Sequence, residues 1–378
     1  MARELTPATF EDAAAALAAA TAEGHHVRIV GGGTKIRWGN PIPDPNLVLR
    51  TTGLDRVLEH NVGDFICVLQ AGVPIARAQE RFAAEGQMLA LDPPLGTGAN
   101  GNATVGGVFA TADSGPLRHR YGAPRDLILG VTVALSDGTI AHAGGKVIKN
   151  VAGYDLAKLL TGSFGTLGVL LSVSVRLHPL PITNATALGA STDPDALALA
   201  ARALARAPLE LEALDVAWRA GRGGLLARSA GVEARRRSQR VAELMREAGL
   251  EQVEVVEDDA GLWARQRAGQ RSERAVLLRV SARPTLLAHV LRATEEVGAT
   301  LVGRAALGAS YVEVQPEALQ QLRAALPAHA TTVTLDAPSP TPDAWGAHEG
   351  PALALMRRVK QRFDPSATCN PGVFVGGI

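Results

Sequence analysis

The sequence has only two cysteines, Cys67 and Cys369, in 378 residues. Two cysteines so far apart argue against a disulfide framework and against a zinc or iron–sulfur site held by cysteine. An excess of charge of one sign is also lacking, since 38 lysine and arginine residues face 37 aspartate and glutamate residues. A chain with so little net charge has no global field that would attract nucleic acid or an acidic membrane.

Long apolar runs are missing as well. No stretch approaches the roughly 20 uninterrupted apolar residues that a membrane span needs. The alanine-rich N-terminus is interrupted by acidic residues, and Thr9 precedes Glu11 and Asp12 as at the start of a capped amphipathic helix, which is unlike a signal peptide. We therefore expect a cytoplasmic protein whose link to a membrane, if it has one, runs through a partner.

Glycine, in contrast, is abundant, and its first cluster stands in the stretch VRIVGGGTKIRWG at 27–39. A dinucleotide-binding Gly-x-Gly-x-x-Gly motif that began at Gly31 would need glycine where Ile36 stands. It would also need a helix directly afterwards, which the following prolines forbid. The phosphate-loop motif of ATPases fails too, because the Gly-Lys pair at 145–146 is followed by Val147. Neither common nucleotide loop is present.

Two further glycine-rich stretches follow, LGTGANGNATVGG at 95–107 and TGSFGTLG at 161–168. In such loops amide groups can approach an anion without obstruction by side chains, and a helix that starts after the second stretch would add donors. Three loops of this kind indicate an extended ligand. FAD fits, because it has a pyrophosphate, a hydroxyl-rich ribityl chain and a flat ring that must be shielded.

Hydrophobic patterns predict an alternation of helices and strands up to a proline cluster near 180, which marks a domain boundary. The predicted helices are 9–23, 75–87, 104–115 and 154–165, and the predicted strands are 26–30, 46–52, 65–72 and 167–181, with a hairpin at 126–145. From about 185 to 335 a β-α-β plan occurs twice, which predicts helices on one side of an antiparallel sheet. A last helix, within 349–374, leads into a turn.

Four stretches resemble the FAD-binding domain of the vanillyl-alcohol-oxidase/p-cresol-methylhydroxylase family. They are VRIVGGGTK, DPPLGTGANGNATVGGVFATADSGP, DLILGVTVALSDGTI and GGKVIKNVAGYDLAKLLTGSFGTLGVLLSVSVRLHPLP. Within that family the sequence is most similar to the E-type FAD-binding subunits of bacterial glycolate oxidases. The stretch KNVAGYDLAKLLTGSFGTLGV at 149–169 is the most specific element, and the C-terminal LMRRVKQRFDPSATCNPG is similar to the closing segment of the same oxidases.

The resemblance implies an α+β fold. We expect a two-part FAD-binding domain of the p-cresol-methylhydroxylase type at 1–182, with a small βαβ-like lobe and a larger antiparallel-sheet lobe. A second, ferredoxin-like α+β cap domain is expected at 183–340. A C-terminal segment, 341–378, is expected to return to the flavin site.

The resemblance also implies which residues bind FAD. The first loop would wrap the pyrophosphate, the second would contact the pyrophosphate, the ribityl chain and the approach to the ring, and the third would close over the adenine. The C-terminal turn would bring its asparagine near the flavin. The expected cofactor-binding residues are Gly31, Gly32, Gly33, Thr34, Lys35, Pro94, Gly96, Thr104, Gly106, Gly107, Ala110, Ser114, Gly165, Gly168, Val169 and Asn370. We expect non-covalent FAD, because Thr34 stands where covalently flavinylated relatives often carry histidine.

The sequence does not identify catalytic residues. Catalytic subunits of the family carry histidines and an acidic residue in the second domain as a metal site, whereas His289 and His329 stand alone there, so no metal is expected. The pair His348–Glu349 is most simply an exposed loop. The stretch LRHRYG at 117–122 could anchor a carboxylate or be a surface turn.

We therefore expect an FAD-dependent oxidoreductase, the FAD-binding subunit of a glycolate oxidase complex. Such a complex oxidises glycolate, a small 2-hydroxy acid, to glyoxylate. Its partners would be a catalytic flavin subunit and an iron–sulfur subunit, between which this chain would relay electrons. Two alternatives stay open. One is a self-sufficient FAD-dependent glycolate or D-lactate dehydrogenase with LRHRYG as substrate clamp, and the other is a flavin-free structural subunit.

Overall fold

The computed structural model describes residues 2–96, 102–146, 154–339, 343–346 and 349–378. The chain divides into two compact units. The first consists of Met1–Ser114, Gly122–Leu180 and Pro342–Ile378, and the second consists of Gly115–Tyr121 and Pro181–Thr341. The α+β character expected from the sequence is confirmed, whereas the roles of FAD-binding domain and cap stay predictions. The short segment Gly115–Tyr121 lies within the predicted first domain in sequence but packs with the second unit.

Within the first 180 residues, helices and strands alternate as the sequence predicts, and several short helices and strands occur in addition. The strands are β1 (Arg3–Leu5), β2 (Val27–Val30), β3 (Leu47–Arg50), β4 (Val57–Asn61), β5 (Ile66–Gln70), β6 (Gln87–Met88), β7 (Ile128–Ala134), β8 (Ile140–Gly144), β9 (Val169–Arg176) and β10 (His178–Pro179). The helices are α1 (Phe10–Ala22), α2 (Ile75–Ala83), α3 (Val105–Thr111), α4 (Arg118–Tyr121), α5 (Pro124–Leu127) and α6 (Leu156–Leu160).

These strands form two main sheets. A parallel sheet has the order β1-β3-β2, and an antiparallel sheet has the order β4-β5-β9-β7-β8. The predicted hairpin is confirmed as β7 and β8, whose turn places Gly138 at φ +85°, a backbone conformation that glycine adopts without strain. The predicted helix 154–165 is wrong in length. It stops at Leu160, because Gly162 and Gly165 take positive φ values that no helix continues through.

Helix α1 begins where its cap predicts. The Thr9 hydroxyl accepts a hydrogen bond from Asp12 N at 3.1 Å, which satisfies one of the free amides of the first turn. Its small apolar face then packs with Val27 of β2 and Leu171 of β9 in one hydrophobic cluster. Helix α1 and strands of both sheets thus pack around β2.

The last part of the chain returns to β2. The turn that follows the last helix of the chain pairs with β2. Val27 N donates to Thr368 O at 2.8 Å, and Asn370 N donates to Val27 O at 2.9 Å. Cys369, between these two bonds, is buried in the same cluster as α1. The C-terminal turn is therefore an additional edge of the parallel sheet.

The second unit is built on one eight-stranded antiparallel sheet. Its strands are β11 (Asn184–Ser191), β12 (Ala213–Arg219), β13 (Arg222–Ala230), β14 (Glu251–Val256), β15 (Val276–Ser281), β16 (Thr300–Arg304), β17 (Ala309–Val314) and β18 (Thr331–Asp336). Its helices are α7 (Pro194–Arg206), α8 (Ala234–Glu247), α9 (Ala260–Ala268), α10 (Leu287–Glu296) and α11 (Leu319–Ala325), and α12 (Pro351–Phe363) follows in the first unit. Among the described residues, no helix combines the length and apolar character needed to cross a membrane.

The sheet order, β14-β11-β13-β12-β16-β17-β15-β18, contains the same plan twice. Each half runs strand, helix, two strands, helix, strand, with its first strand between its third and fourth. The halves join where β12 pairs with β16. Helices α7, α8, α10 and α11 contribute to the main hydrophobic cluster with alternate residues of the strands. This is the doubled β-α-β plan that the sequence predicts.

The opposite face of this sheet carries buried polar groups. The side chain of Arg304 is buried, and its guanidinium donates hydrogen bonds to the side chains of Asp215 and Gln270. Gln266, on α9, also donates to Asp215, with Nε2 2.9 Å from Oδ2. Burial raises the pKa of Asp215 to about 6, although the charge of Arg304 opposes this. Helix α9 covers this polar face.

Candidate cofactor-binding site

The first two glycine-rich segments pack against each other. A methyl group added at Gly31 would lie 2.3 Å from the hydroxyl oxygen of Thr104, and one at Gly32 would lie 1.4 Å from the carbonyl oxygen of Asn102. A methyl group at Gly96 would lie 2.6 Å from Cγ2 of Thr34. Only glycine permits these approaches. The structure therefore brings the loop after β2 together with the segment before α3.

The first loop offers backbone donors. In the described part of the chain, the N–H groups of Gly32, Gly33 and Thr34 have no hydrogen-bond acceptor. Gly33 has φ +78°, and a methyl group there would meet nothing within 4 Å. Successive free amides beside open space are a typical anion-binding arrangement. These residues fit a pyrophosphate.

The second segment offers fewer free donors than its glycines suggest. Gly106 N donates to Ala71 O at 2.7 Å, so this amide is already used. Thr104 caps helix α3, with Gly107 N donating to its hydroxyl oxygen at 3.3 Å. Thr104 remains a polar group beside Gly31, whereas Gly106 serves close packing. A methyl group at Gly106 would lie 2.7 Å from Cβ of Ala71.

Lys35 is buried in an ion pair. Its Nζ lies 3.2 Å from Oδ2 of Asp113, and the two side chains are 5% and 0% exposed. Nζ also lies 5.9 Å from the centre of the Trp38 ring. Asp113 follows α3, so this pair fastens the first loop to the end of that helix. Most of the lysine's charge is therefore compensated within the protein.

The third glycine-rich segment also contacts α3. Gly162 N donates to Phe109 O at 2.9 Å, and Phe164 N donates to Ala110 O at 2.8 Å. A methyl group at Gly165 would lie 2.8 Å from Nδ2 of Asn370. All three segments thus meet around α3 and the end of β2.

The remaining residues that were predicted to bind the cofactor differ in burial and in the elements that they contact. Pro94 and Ser114 are buried, and Ala110 is half-buried. Gly168 contacts β7, because a methyl group there would lie 2.6 Å from Ala134 O, and Val169 lies in the hydrophobic cluster of α1. The described contacts of these last two residues are with the core and not with the first two loops.

The stretch LRHRYG is engaged within the second unit. Arg120 donates to Glu210 O at 2.9 Å, and the Tyr121 hydroxyl donates to Oε1 of Glu212 at 3.2 Å. Burial raises the pKa of Tyr121 to about 12 and that of Glu212 above its ordinary value. Burial, and then the charge of Arg120, lowers the pKa of His119, so its ring is neutral at neutral pH. His348 lies outside the described residues.

Sequence reasoning missed Arg279 on the polar face of the second unit. Its strand neighbours Leu278 and Val280 belong to the hydrophobic cluster on the other face, and Tyr311 lies opposite it on β17. Arg279 is half-buried, and within the described residues its buried Nε has no hydrogen-bond partner. A guanidinium with a spare donor is an anion-binding candidate. An arginine in a strand of mixed pattern carries no signal that would have revealed this.

Two parts of the chain match known protein families. Residues 2–144 match the model of the FAD binding domain, and residues 344–374 match that of the C-terminal domain of FAD linked oxidases. The chain is 33% identical over 153 residues to the glycolate oxidase subunit GlcE of Escherichia coli, covering 40% of this chain and 42% of that protein. It is 35% identical over 173 residues to a D-lactate dehydrogenase of Archaeoglobus fulgidus, covering 46% of this chain and 38% of that one.

Longer but more distant likenesses cover nearly the whole chain. An uncharacterised FAD-linked oxidoreductase of Mycobacterium tuberculosis is 26% identical, with 98% of this chain and 90% of that protein covered. Alkyldihydroxyacetonephosphate synthase has the same fold at a TM-score of 0.71 and 14% identity, with 97% of this chain and 76% of that one covered. The matched parts are only about two fifths of the curated relatives named first. The two matched regions nevertheless indicate that the chain is a flavoprotein with FAD as its cofactor, although together they span less than half of its length.

Proposed function

We propose that the protein is the FAD-binding subunit of an oxidase or dehydrogenase that oxidises a small 2-hydroxy acid, with glycolate as the first candidate. The observation that carries the proposal is the loop after β2, where three successive amides have no acceptor among the described residues and a methyl group at Gly33 would meet nothing within 4 Å. The two other glycine-rich segments pack next to this loop and the helix beside it. The names of the relatives support the substrate class, since they include a glycolate oxidase subunit and a D-lactate dehydrogenase.

The residues of the first unit would hold the cofactor without a covalent bond. The amides of Gly32, Gly33 and Thr34 would donate to the pyrophosphate, and the hydroxyl of Thr104 would add a polar contact. Lys35, held by Asp113, would supply a partly compensated positive charge. When bound, FAD supplies a carrier for the electrons removed from the hydroxy acid. These electrons would reach it from a catalytic flavin subunit and leave it for an iron–sulfur subunit, the two proposed partners.

The decisive experiment is to purify this chain alone, record its visible spectrum and add glycolate without oxygen. A yellow protein whose flavin stays oxidised supports the role of relay between partner subunits. Recovery of reduction on adding the partner subunits would complete the demonstration. A colourless protein that does not take up added FAD would refute the proposal and leave the structural subunit as the remaining hypothesis.

A self-sufficient glycolate or D-lactate dehydrogenase is the second candidate, and the similarity to a D-lactate dehydrogenase favours it. Reduction of the flavin by glycolate or D-lactate in the isolated chain would establish this function. A flavin that stays oxidised until partner subunits are added would refute it.

A further inference from the structure

Lys360, on α12, is a lysine buried at a place where the sequence suggests a surface ion pair. Its ammonium donates to Oδ2 of Asp364 at 2.6 Å, to Thr166 O at 2.7 Å and to Cys369 O at 3.1 Å. An ammonium has three N–H groups, so all of its donors are used. One of these acceptors belongs to the third glycine-rich segment and another to the C-terminal turn. Lys360 therefore joins the two.

The carboxylate of Asp364 binds the backbone of the C-terminal turn as well as Lys360. Its Oδ1 accepts from Thr368 N at 3.1 Å, and its Oδ2 accepts from Cys369 N at 2.8 Å. The carboxylate is fully buried, and its partners are two backbone amides and the ammonium of Lys360. The turn that precedes Asn370 is thus fixed by a closed set of charged hydrogen bonds, which are stronger than neutral ones.

Asn370 then connects the turn to two loops at once. Its Nδ2 donates to Phe164 O at 2.7 Å, and its Oδ1 accepts from Ile29 N at 2.8 Å. Ile29 lies in β2, directly before the first glycine loop, and Phe164 lies in the third segment. Asn370 has φ +41°, a left-handed conformation that asparagine tolerates better than most residues. Both ends of its amide are occupied by the protein.

We propose that Lys360 and Asn370 are positioning residues, which hold the first and third glycine-rich segments in register so that the site is formed before FAD arrives. Asn370 acts through Ile29 and Phe164, and it need not touch the flavin as the family resemblance implies. Preformed loops lose less conformational freedom on binding, which increases affinity without any new contact. The inference rests on the proposed cofactor site and deepens it.

The experiment measures FAD affinity and dissociation rate in the full-length chain. FAD is removed, and the apoprotein is titrated with FAD by flavin fluorescence at a temperature where circular dichroism shows every variant to be folded. Lys360→Met and Asn370→Ala should each raise the Kd and the dissociation rate about ten- to hundredfold, the effect expected for lost charged or paired hydrogen bonds. Gln361→Met, at an exposed neighbour on the same helix, should leave both unchanged.

The absorption spectrum of bound FAD distinguishes a positioning role from a general contribution to stability. Asn370→Asp keeps the shape and the acceptor but cannot donate to Phe164 O, so it should weaken FAD binding and broaden the flavin band. The inference would be overturned if Lys360→Met and Asn370→Ala fold with a lower melting temperature but bind FAD with normal Kd and dissociation rate. Should Lys360→Met not fold, the two Asn370 variants decide alone.

One further variant distinguishes failure of the inference from failure of the site. Gly33→Ala adds a methyl group that meets no protein atom within 4 Å, but it strains the backbone, which has φ +78° there, and so disturbs the amides of the first loop directly. Loss of affinity in Gly33→Ala together with normal affinity in the Lys360 and Asn370 variants would refute only the positioning role. Normal affinity in all of them would refute the cofactor site itself.

Discussion

The buried pair of Lys35 and Asp113 yields a prediction in which Asp113→Asn lowers stability without lowering FAD affinity. At 3.2 Å and an effective dielectric constant of about 20, the attraction between the two charges is about 5 kcal/mol. Desolvation offsets much of this, but removal of one partner takes the nearest opposite charge away from a buried ion, which costs about 3–5 kcal/mol. Asp113→Asn should therefore lower the free energy of unfolding of the apoprotein by about 3 kcal/mol.

The same substitution should not weaken FAD binding. Without the carboxylate, the charge of Lys35 is available to the pyrophosphate, so the Kd for FAD should fall or stay unchanged. Lys35→Met should instead lower both stability and affinity. In urea unfolding of the apoprotein, the double variant Lys35→Met/Asp113→Asn should lose less stability than the two single variants together, with a coupling of about 2–3 kcal/mol.

The control is an exposed pair at a similar distance. Arg77 and Asp55 are joined at 3.1 Å but are more than half exposed, so Asp55→Asn should cost less than about 1 kcal/mol. The reasoning is refuted if the losses of the Lys35 and Asp113 variants are additive. It is equally refuted if Asp113→Asn weakens FAD binding as much as Lys35→Met does.

Three further predictions concern packing, pH and thiol reactivity. Gly32→Ala should abolish flavin content or folding, because its methyl group would lie 1.4 Å from Asn102 O; normal yellow colour after purification would contradict the packing of these loops. The raised pKa of Asp215 means that the folded state prefers its protonated form, so its contribution to stability is present below pH 4 and is lost as pH rises towards about 6. Relative to Asp215→Asn, the wild-type protein should lose roughly 1–3 kcal/mol over that range in urea titrations, and a constant difference would refute this. Burial raises the pKa of both thiols, that of Cys67 to about 12, so a thiol reagent at pH 8 should modify Cys67 and Cys369 only on unfolding; rapid modification of the folded protein would show that these sites open.

The parts of the fold that the sequence predicts well are those with a local cause. Helix α1 follows from Thr9 and its cap, and the hairpin of β7 and β8 follows from its Asp-Gly turn. Strand β4 was missed because VLEHN alternates weakly at the edge of its sheet. Helix α9 was missed because it buries Trp263 and Gln266 against polar partners and not against a hydrophobic core, so it lacks the usual apolar stripe.

The candidate site was predictable only in its glycines. Their spacing suggests backbone that approaches a ligand, but which amides stay free depends on distant partners such as Ala71, which takes the N–H of Gly106. The burial of Lys360 is likewise invisible in the sequence, where Lys and Asp at i and i+4 suggest a solvated pair on a helix surface. Lys360 is buried because carbonyl groups from segments remote in the sequence, those of Thr166 and Cys369, accept hydrogen bonds from its ammonium.

The bond between Ile29 and Asn370 spans 341 positions of the chain, which has a consequence for biosynthesis. At translation rates of about 5–20 residues per second, the C-terminal turn that pairs with β2 is synthesised tens of seconds after β2 itself. Nascent chains that stop short of this turn lack the Asn370 hydrogen bond next to the first glycine loop, the loop proposed to bind the FAD pyrophosphate. Cofactor capture should accordingly be a late event, after the ribosome has passed residue 370, and shorter fragments should emerge colourless.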